Sequence, residues 1–206
     1  MGPLAAEISI ISPGVLSWQA YDPKVKADLY STALQADSGL VLIDPIDLAP
    51  SQLELLQSQG RVAGLVVTNE NHWRAAGRFA KKLGMPVYHG ACGPEVGPGV
   101  QTIAMGNGAQ ISPDLTVVPI EGAPTGEIAL HLDKDGGTLV IGDALINFEP
   151  YGFALLPAKY CSDAKAMRRS LPKLLELQFD RILFAHGTPL VSGARKRLEQ
   201  LLNSGS

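Results

Sequence analysis

Short runs rich in apolar and other strand-favouring residues fill the first third of the chain, and this pattern is typical of consecutive β-strands. The predicted strands here are Glu7–Ile11, Val15–Trp18, Asp28–Ala36, Leu40–Asp44 and Val62–Thr68. The sequence Asp37-Ser38-Gly39 favours a tight turn, which makes the third and fourth of these strands a hairpin. Pro50 suits a first helical turn and a leucine stripe follows it, so a helix is predicted from Pro50 to Gly60.

A helical period follows the strand that ends at Thr68. Apolar residues recur at helical spacing up to Leu83, and arginines and lysines occupy the other face. Gly84 suits the end of this helix, which is predicted to begin near His72. The strand Pro86–His89 then completes a β-α-β unit with parallel strands.

The part of the chain after the Gly90–Gly99 loop is again rich in strands. The predicted strands are Leu115–Ile120, Ile128–Leu132, Thr138–Ile141 and Arg181–Phe184, with an Asp135-Gly136-Gly137 turn. A helix is predicted from Ser162 to Leu177, bent or split by Pro172, and a final helix ends near Leu202. Two strand-rich halves with helices between and after them predict an α/β fold of four layers, an αββα sandwich. Because no linker divides the chain, residues 1–206 are predicted to form a single domain.

Composition and charge narrow the classes of function. The 206 residues are 46% apolar and 18% charged, with a net charge of −3, so no basic surface for nucleic acid is expected. No apolar run is long enough for a membrane span, and the N-terminus lacks the basic start of a signal peptide. We therefore expect a cytoplasmic protein whose partner is a small molecule. Cys92 and Cys161 do not form a disulfide framework and are expected to be small buried side chains.

Five segments, in family order, resemble the metallo-β-lactamase-fold hydrolases, including those of the glyoxalase II type. They are Leu42-Ile43-Asp44-Pro45, Val66-Val67-Thr68 with the helix up to Gly84-Met85-Pro86-Val87-Tyr88, Gly122–Leu130, Gly142-Asp143-Ala144-Leu145 and Ala185-His186-Gly187-Thr188-Pro189. The resemblance covers nearly the whole chain and implies the αββα fold of that family. It also implies that Thr68–Arg74, Ala123, Asp143 and His186 meet at one edge of the two sheets.

In that family, the turn that follows the strand of the second segment, here Val66-Val67-Thr68, carries T-H-x-H-x-D-H and supplies metal ligands. The seven ligand positions are occupied here by Asn69, Asn71, Trp73, Arg74, Ala123, Asp143 and His186. Only Asp143 and His186 keep a ligand type, and Arg74 brings a permanent positive charge. Catalytic zinc usually has three protein ligands. The resemblance therefore implies a degenerate site, and we expect no zinc or iron and no other cofactor.

A shifted alignment gives the metal site a second interpretation. Glu70, His72, Asp143 and His186 would then be four conceivable ligands of zinc or iron. The alternative is that His72 helps to begin the helix and is half exposed. His89 and His131 have no partners at ligand spacing and are expected to be strand-end or surface histidines.

Arg74 also has two interpretations. Its guanidinium could replace the lost metal by pairing with Asp143, since a buried carboxylate without a cation needs a partner. It could instead face solvent beside Arg78, one helical turn away. Asp44 is interpreted as a loop-closing hydrogen-bond acceptor.

Three functions remain open at this point. The first is a non-metal binding or regulatory member of the family, catalytically weak or silent, that is, a pseudoenzyme. The second is a hydrolase of esters, thioesters or lactones with an altered mononuclear metal site or none. Tyr151, Tyr160 and a Cys161–His186 nucleophile–base pair would be candidates for its chemistry. The third is a purely structural subunit.

Overall fold

The computed structural model describes residues 2–91 and 99–204, and these two ranges contain sixteen β-strands and four α-helices. The strands are β1 (Leu4–Ala5), β2 (Ile8–Ser12), β3 (Val15–Asp22), β4 (Ala27–Ala36), β5 (Gly39–Ile43), β6 (Asp47–Leu48), β7 (Val62–Val67), β8 (Val87–His89), β9 (Thr102–Ala104), β10 (Gln110–Ser112), β11 (Leu115–Pro119), β12 (Ile128–Leu132), β13 (Thr138–Ile141), β14 (Leu145–Phe148), β15 (Gly152–Leu155) and β16 (Arg181–Phe184). The helices are α1 (Pro50–Ser58), α2 (Ala76–Leu83), α3 (Ala164–Ser170) and α4 (Ala194–Ser204).

Two large sheets form the centre of the molecule. The first has the strand order β2-β3-β4-β5-β7-β8-β9 and runs parallel from β5 to β9. The second has the order β10-β11-β12-β13-β16, in which only β13 and β16 are parallel. Because the carboxyl ends of parallel strands lie at one edge of a sheet, the loops that follow β5 and β7 lie side by side, and so do those that follow β13 and β16.

Three hydrophobic clusters define the layers. The middle cluster includes Ile43 of the first sheet and Leu130 of the second, so the two sheets pack face to face. Leu42, next to Ile43, points to the opposite face and packs with Phe79 of α2. On the outside of the second sheet, Leu198 of α4 packs with residues of β13 and β16. The predicted αββα sandwich is therefore confirmed.

Most of the predicted helices lie where the pattern placed them. Helix α1 begins at Pro50, and Leu56 is its fully buried residue. The predicted split at Pro172 is also found, since α3 ends at Ser170 and a 3-10 helix, Leu171–Glu176, follows it. Asp163 caps α3 by accepting hydrogen bonds from two backbone N–H groups of its first turn.

The second helix begins later than predicted, at Ala76 instead of His72. The chain between Thr68 and Ala75 forms turns that are held by contacts to other elements. The Ala75 N–H donates to the Pro45 carbonyl, and Arg74 has a positive φ of 37°. The predicted start of the helix is therefore wrong, because the spacing of apolar residues gives no information about such tertiary contacts.

The sequence pattern also failed to predict several short strands. The pairs β1–β6 and β14–β15, and the edge strands β9 and β10, have only two to four residues each, too few to show an alternating period. Among the described residues, no helix is both long and apolar enough to cross a membrane.

Candidate functional site

Four loops that follow parallel strands build the site. Asp44 follows β5 and Thr68 follows β7 in the first sheet, while Asp143 follows β13 and His186 follows β16 in the second. The two sheets therefore contribute their carboxyl-end loops to one location. Asp44 is 2% exposed and Asp143 is 9% exposed, so the site contains two nearly buried carboxylates.

His72 lies between these two carboxylates and is only 2% exposed. Its Nδ1 is 3.0 Å from Asp44 Oδ2 and 2.8 Å from Thr68 Oγ1, and its Nε2 is 3.3 Å from Asp143 Oδ1. Thr68 also donates its hydroxyl to Asp44 Oδ2 over 2.6 Å. The ring is thus held from both sides, and the interpretation of His72 as a half-exposed helix start is wrong.

His186 approaches the same carboxylate oxygen from the other side. Its Nε2 is 3.4 Å from Asp143 Oδ1, and its Nδ1 is 3.1 Å from the Asp28 carbonyl of β4. A carbonyl can only accept, so Nδ1 carries the proton and Nε2 of the neutral ring presents its lone pair to Asp143. The rings of His72 and His186 have centroids 5.5 Å apart.

These three side chains form a group that could hold a metal ion. One donor atom from each of His72, Asp143 and His186 lies within 4.8 Å of the others. Donors that share a tetrahedral zinc ion lie about 3.3 Å apart, because each bond is about 2.0–2.2 Å long. The two histidine-to-carboxylate distances match that spacing, so the residues present fit a single ion. Glu70, the fourth conceivable ligand, is exposed and is not part of this group.

Burial and charge shift the ionisation of the histidines in opposite directions. Burial disfavours the charge of His72, but Asp143 and Asp44 outweigh it and raise the pKa of His72 to about 9. Burial lowers the pKa of His186. The charge of Asp143 raises this pKa, but the positive charges of His72 and Arg74 offset much of that effect, and the pKa is about 4. One histidine is therefore disposed to carry a charge and the other to stay neutral.

The three buried carboxyl groups differ too. Burial would raise the pKa of Asp44 and of Asp143, yet the charge and hydrogen bonds of His72 hold both pKa values below the ordinary range. Burial and the charge of Asp143 raise the pKa of Glu127 to about 8. The site thus holds two ionised carboxylates and a third whose ionisation is suppressed.

Arg74 does not form the ion pair with Asp143 that the sequence suggested. Its guanidinium donates to three main-chain carbonyls: to Tyr30, to Asp44 over 3.1 Å and to Ala185 over 3.4 Å. It is partly buried, so the solvent-facing interpretation is wrong as well. The positive charge still acts on the site from a distance and lowers the pKa of both Asp143 and His186.

The residues at the remaining family ligand positions lie in different environments. Asn69 is buried and contacts Asp143, whereas Asn71 is exposed. Trp73 packs on the core and on the His89 ring, with 5.6 Å between ring centroids. Ala123 is buried in the cluster under the second sheet. The structure thus brings Asn69, Asp143 and His186 together with His72. Trp73 and Ala123 instead pack against hydrophobic clusters outside this group.

The other candidates lie outside the site. Cys161 Sγ contacts the Leu156 and Pro157 carbonyls and Met167 Sδ, without contacting His186. Tyr151 and Tyr160 are exposed. Cys92 lies outside the described residues. The Cys161–His186 nucleophile–base pair is therefore not formed.

His131 corrects another expectation. It is 7% exposed, lies within β12, and its Nε2 is 2.7 Å from the Gln178 carbonyl. It is a buried strand histidine with a partner, and not a surface residue. His89 is partly buried at the end of β8, in agreement with a strand-end position.

The site opens to solvent through a cavity of about 470 Å³ whose walls include His72, Arg74, Asp143 and His186. His186 also lines a neighbouring cavity of about 550 Å³, together with Tyr21, Tyr30 and Phe148. Both volumes suit a small organic ligand.

Sequence reasoning missed the parts played by Thr68 and Glu127. Each lies in a segment that the family resemblance includes, but neither is a family metal ligand. The signal available was the acidic residue at the end of Gly122-Ala123-Pro124-Thr125-Gly126-Glu127, since a carboxylate next to a buried strand needs partners.

Comparison with known proteins agrees with this architecture. The sequence model of the metallo-beta-lactamase superfamily matches residues 8–204. The chain therefore belongs to the metallo-beta-lactamase superfamily. No curated protein matches the chain.

Solved structures share the fold at low identity. The DIM-1 metallo-beta-lactamase is 14% identical with a TM-score of 0.74, and the match covers 100% of both chains. An archaeal superfamily protein from Sulfolobus tokodaii is 16% identical with a TM-score of 0.69, covering 94% of this chain and 86% of that one. A family protein from Thermus thermophilus is 20% identical with a TM-score of 0.66, covering 95% of this chain and 80% of that one. At these identities the likeness establishes the fold alone.

Proposed function

We propose that this chain is a hydrolase with a mononuclear centre, in which His72, Asp143 and His186 hold one divalent metal ion. The observation that carries the proposal is the convergence of two imidazole Nε2 atoms on Asp143 Oδ1, at 3.3 and 3.4 Å. Two nitrogens and one carboxylate oxygen are a donor set that suits zinc or ferrous iron. The expectation of no metal rested on the lost ligand types at the family positions, and His72 was the ligand of the alternative, shifted alignment.

The contacts behind the two histidines support this assignment. Metal-binding histidines usually donate their other ring N–H to a carboxylate or carbonyl, which fixes the ring and directs the free nitrogen at the ion. His72 has Asp44 behind its Nδ1, and His186 has the Asp28 carbonyl. The arrangement leaves both Nε2 atoms available on the cavity side.

The reaction class follows from the open cavity and the three-ligand set. A catalytic centre keeps one coordination position open, and three protein ligands satisfy that condition. When bound, the ion would supply Lewis acidity toward a substrate carbonyl and would activate water. The cavity of about 470 Å³ beside the three ligands has room for a small ester, thioester or lactone.

A second candidate is the metal-free binding protein. It is favoured by the position of His72, whose pKa of about 9 makes it a cation between Asp44 and Asp143. In that state His72 and Arg74 carry two positive charges against two carboxylates. The charges then balance without a metal, and the cavity would serve binding instead of hydrolysis.

Metal titration separates the two candidates. Protein stripped with a chelator is titrated with Zn²⁺ by calorimetry, for the wild type, for His186→Ala and for His131→Gln as a histidine control outside the cluster. The proposal expects one equivalent in the wild type and in the control, and none in His186→Ala. Hydrolysis of p-nitrophenyl acetate, a thioester and a lactone is then compared with and without the metal. A folded wild type that binds no zinc at micromolar concentration rejects the proposal in favour of the second candidate.

A further inference from the structure

We infer that Asn69 and Glu127 act together as a clamp that positions Asp143, so that the site receives one metal ion at full affinity and has no second position. The inference rests on the proposed function, since it concerns how the same carboxylate is presented. Neither residue would touch the ion, so both are positioning residues.

The Asn69 side chain uses both its oxygen and its nitrogen in hydrogen bonds. Its Oδ1 accepts from the Asn71 N–H over 2.9 Å, and its Nδ2 donates to Glu127 Oε2 over 2.7 Å and to Asp143 Oδ2 over 3.1 Å. The Asn71 N–H can only donate, which fixes which end of the amide is oxygen. The amide group therefore faces the two carboxyl groups with its donors.

This bond decides how Asp143 is oriented. Asn69 occupies Oδ2, and the two imidazoles approach Oδ1. A carboxylate without the Asn69 contact would be free to turn about its χ2 angle and to present either oxygen, or both. The clamp thus selects one oxygen and one direction for the candidate ligand.

Glu127 is the second residue of the clamp, and it contacts both the Asn69 side chain and the main chain next to Asp143. It is 3% exposed, and its second oxygen accepts the Ala144 N–H over 3.0 Å, next to Asp143 in the chain. Both ends of the clamp therefore hold the Asp143–Ala144 segment, one through the side chain and one through the main chain. There is little room for adjustment, because a Cβ at Gly142 would lie 2.8 Å from Glu127 Oε2.

The same contacts fill the space where the family resemblance implies further metal ligands. Asn69 stands at one such ligand position and is bound to Glu127, Ala123 stands at another and is packed in the core, and Asn71 is exposed. The Asn69 amide is already engaged and Ala123 carries no donor atom, so neither of these two positions can hold a second ion. The clamp therefore withholds Asn69 from a second ion, and the packing of Ala123 withholds another of the family's ligand positions.

The test is a Co²⁺ titration of chelator-treated protein, followed by absorption of the metal and by competition with a chelator. The variants are Asn69→Ala and Glu127→Gln, with Asn71→Ala as the matched control in the same turn. Polar residues that orient a metal ligand usually change metal affinity by roughly 10–100-fold. We expect that loss, with altered Co²⁺ absorption, in Asn69→Ala and Glu127→Gln, and no more than a small change in Asn71→Ala.

The outcomes separate the inference from the proposed function. A wild type that takes up no Co²⁺ removes the proposed function and the inference with it. A wild type that binds one ion, with Asn69→Ala unchanged in affinity and spectrum, removes the inference alone, and binding of two ions does the same. If Asn69→Ala does not fold by circular dichroism, Glu127→Gln decides, because it disturbs the clamp without removing a contact to Asp143. A lower melting temperature of the metal-free variants at unchanged affinity would mean that the clamp is only structural.

Discussion

His72 Nε2 lies 3.3 Å from Asp143 Oδ1, while Nδ1 of the same ring lies 3.0 Å from Asp44 Oδ2. One imidazole therefore joins a loop of the first sheet to a loop of the second. Nothing in this arrangement requires the family's own histidines, because the ring reaches Asp143 from a different position of the turn. The shared carboxylate makes His72 central both to the proposed metal site and to the stability of the metal-free protein.

The first prediction concerns pH. The folded pKa of His72, about 9, lies above its ordinary value of 6.5. Its contribution to stability is therefore complete below about pH 6.5 and is lost as the pH rises through about 9. In chelator-treated protein, the His72 contribution to the free energy of unfolding should fall by ~3 kcal/mol across that window, and the raised pKa of Glu127, about 8, adds a further fall up to about pH 8. Urea melts from pH 6 to pH 10 measure it.

His72→Gln should remove the His72 share of that slope, whereas His131→Gln should keep all of it. The two carboxylates act in the opposite direction, since the lowered pKa values of Asp44 and Asp143 give stability that is lost only as the pH falls through their folded values. An alkaline slope that is equally steep in His72→Gln would contradict the assignment.

The second prediction concerns Arg74, which joins three main-chain carbonyls from both sheets. Arg74→Ala should lower the free energy of unfolding by about 2–4 kcal/mol, because buried carbonyls lose a charged donor. Arg74→Lys should recover only part of it, since an ammonium cannot reproduce the planar fork. Arg78→Ala, an exposed arginine paired with Asp47, is the control and should cost less than about 1 kcal/mol.

A double-mutant cycle tests whether Arg74 and Asp143 interact. Because the two side chains make no ion pair, the coupling energy between Arg74→Ala and Asp143→Ala should stay under about 1 kcal/mol. Denaturant melts of the two single variants and the double variant measure it. A coupling of several kcal/mol would restore the idea that Arg74 replaces the metal.

The third prediction concerns Cys161. Burial, Glu127 and Asp163 raise the pKa of its thiol, and its sulfur contacts Met167. A thiol of this kind is a poor nucleophile. Cys161→Ala should keep ester hydrolysis within about twofold of the wild type, with a loss of stability of about 1 kcal/mol from the packing contact. A large fall in the initial rate, with the fold intact, would bring the nucleophile back into consideration.

The sandwich was predictable from the sequence because its central strands are short apolar runs, buried at nearly every position, and turn residues bound them. Leu42 faces the helices and Ile43 faces the other sheet, so a strand that is covered on both faces has apolar residues at successive positions. The carboxyl-end positions of Asp143 and His186 were predictable for the same reason, since each closely follows a recognisable strand segment.

The direction of His72 could not be predicted in this way. It depends on a turn in which Arg74 has a positive φ and is fixed by carbonyls of residues far away in the chain. Counting charges suggested an Arg74–Asp143 pair, but the structure gives Asp143 to His72, His186 and Asn69. The local sequence pattern shows which residue types are present, but it does not show which of them become neighbours in the folded protein.

The last prediction concerns Gly142, which precedes Asp143. A Cβ at this position would lie 2.6 Å from Thr68 Oγ1 and 2.8 Å from Glu127 Oε2, so Gly142→Ala must displace groups on both sides of the site. The free energy of unfolding should fall by about 1–3 kcal/mol from this overpacking. Metal affinity should fall roughly tenfold as Asp143 shifts. Gly106→Ala is the matched control, because a Cβ there meets nothing within 4 Å. Thermal melts and the Co²⁺ titration compare the two, and a Gly142→Ala protein as stable and as tight-binding as Gly106→Ala would show that the contacts around Asp143 are looser than these distances require.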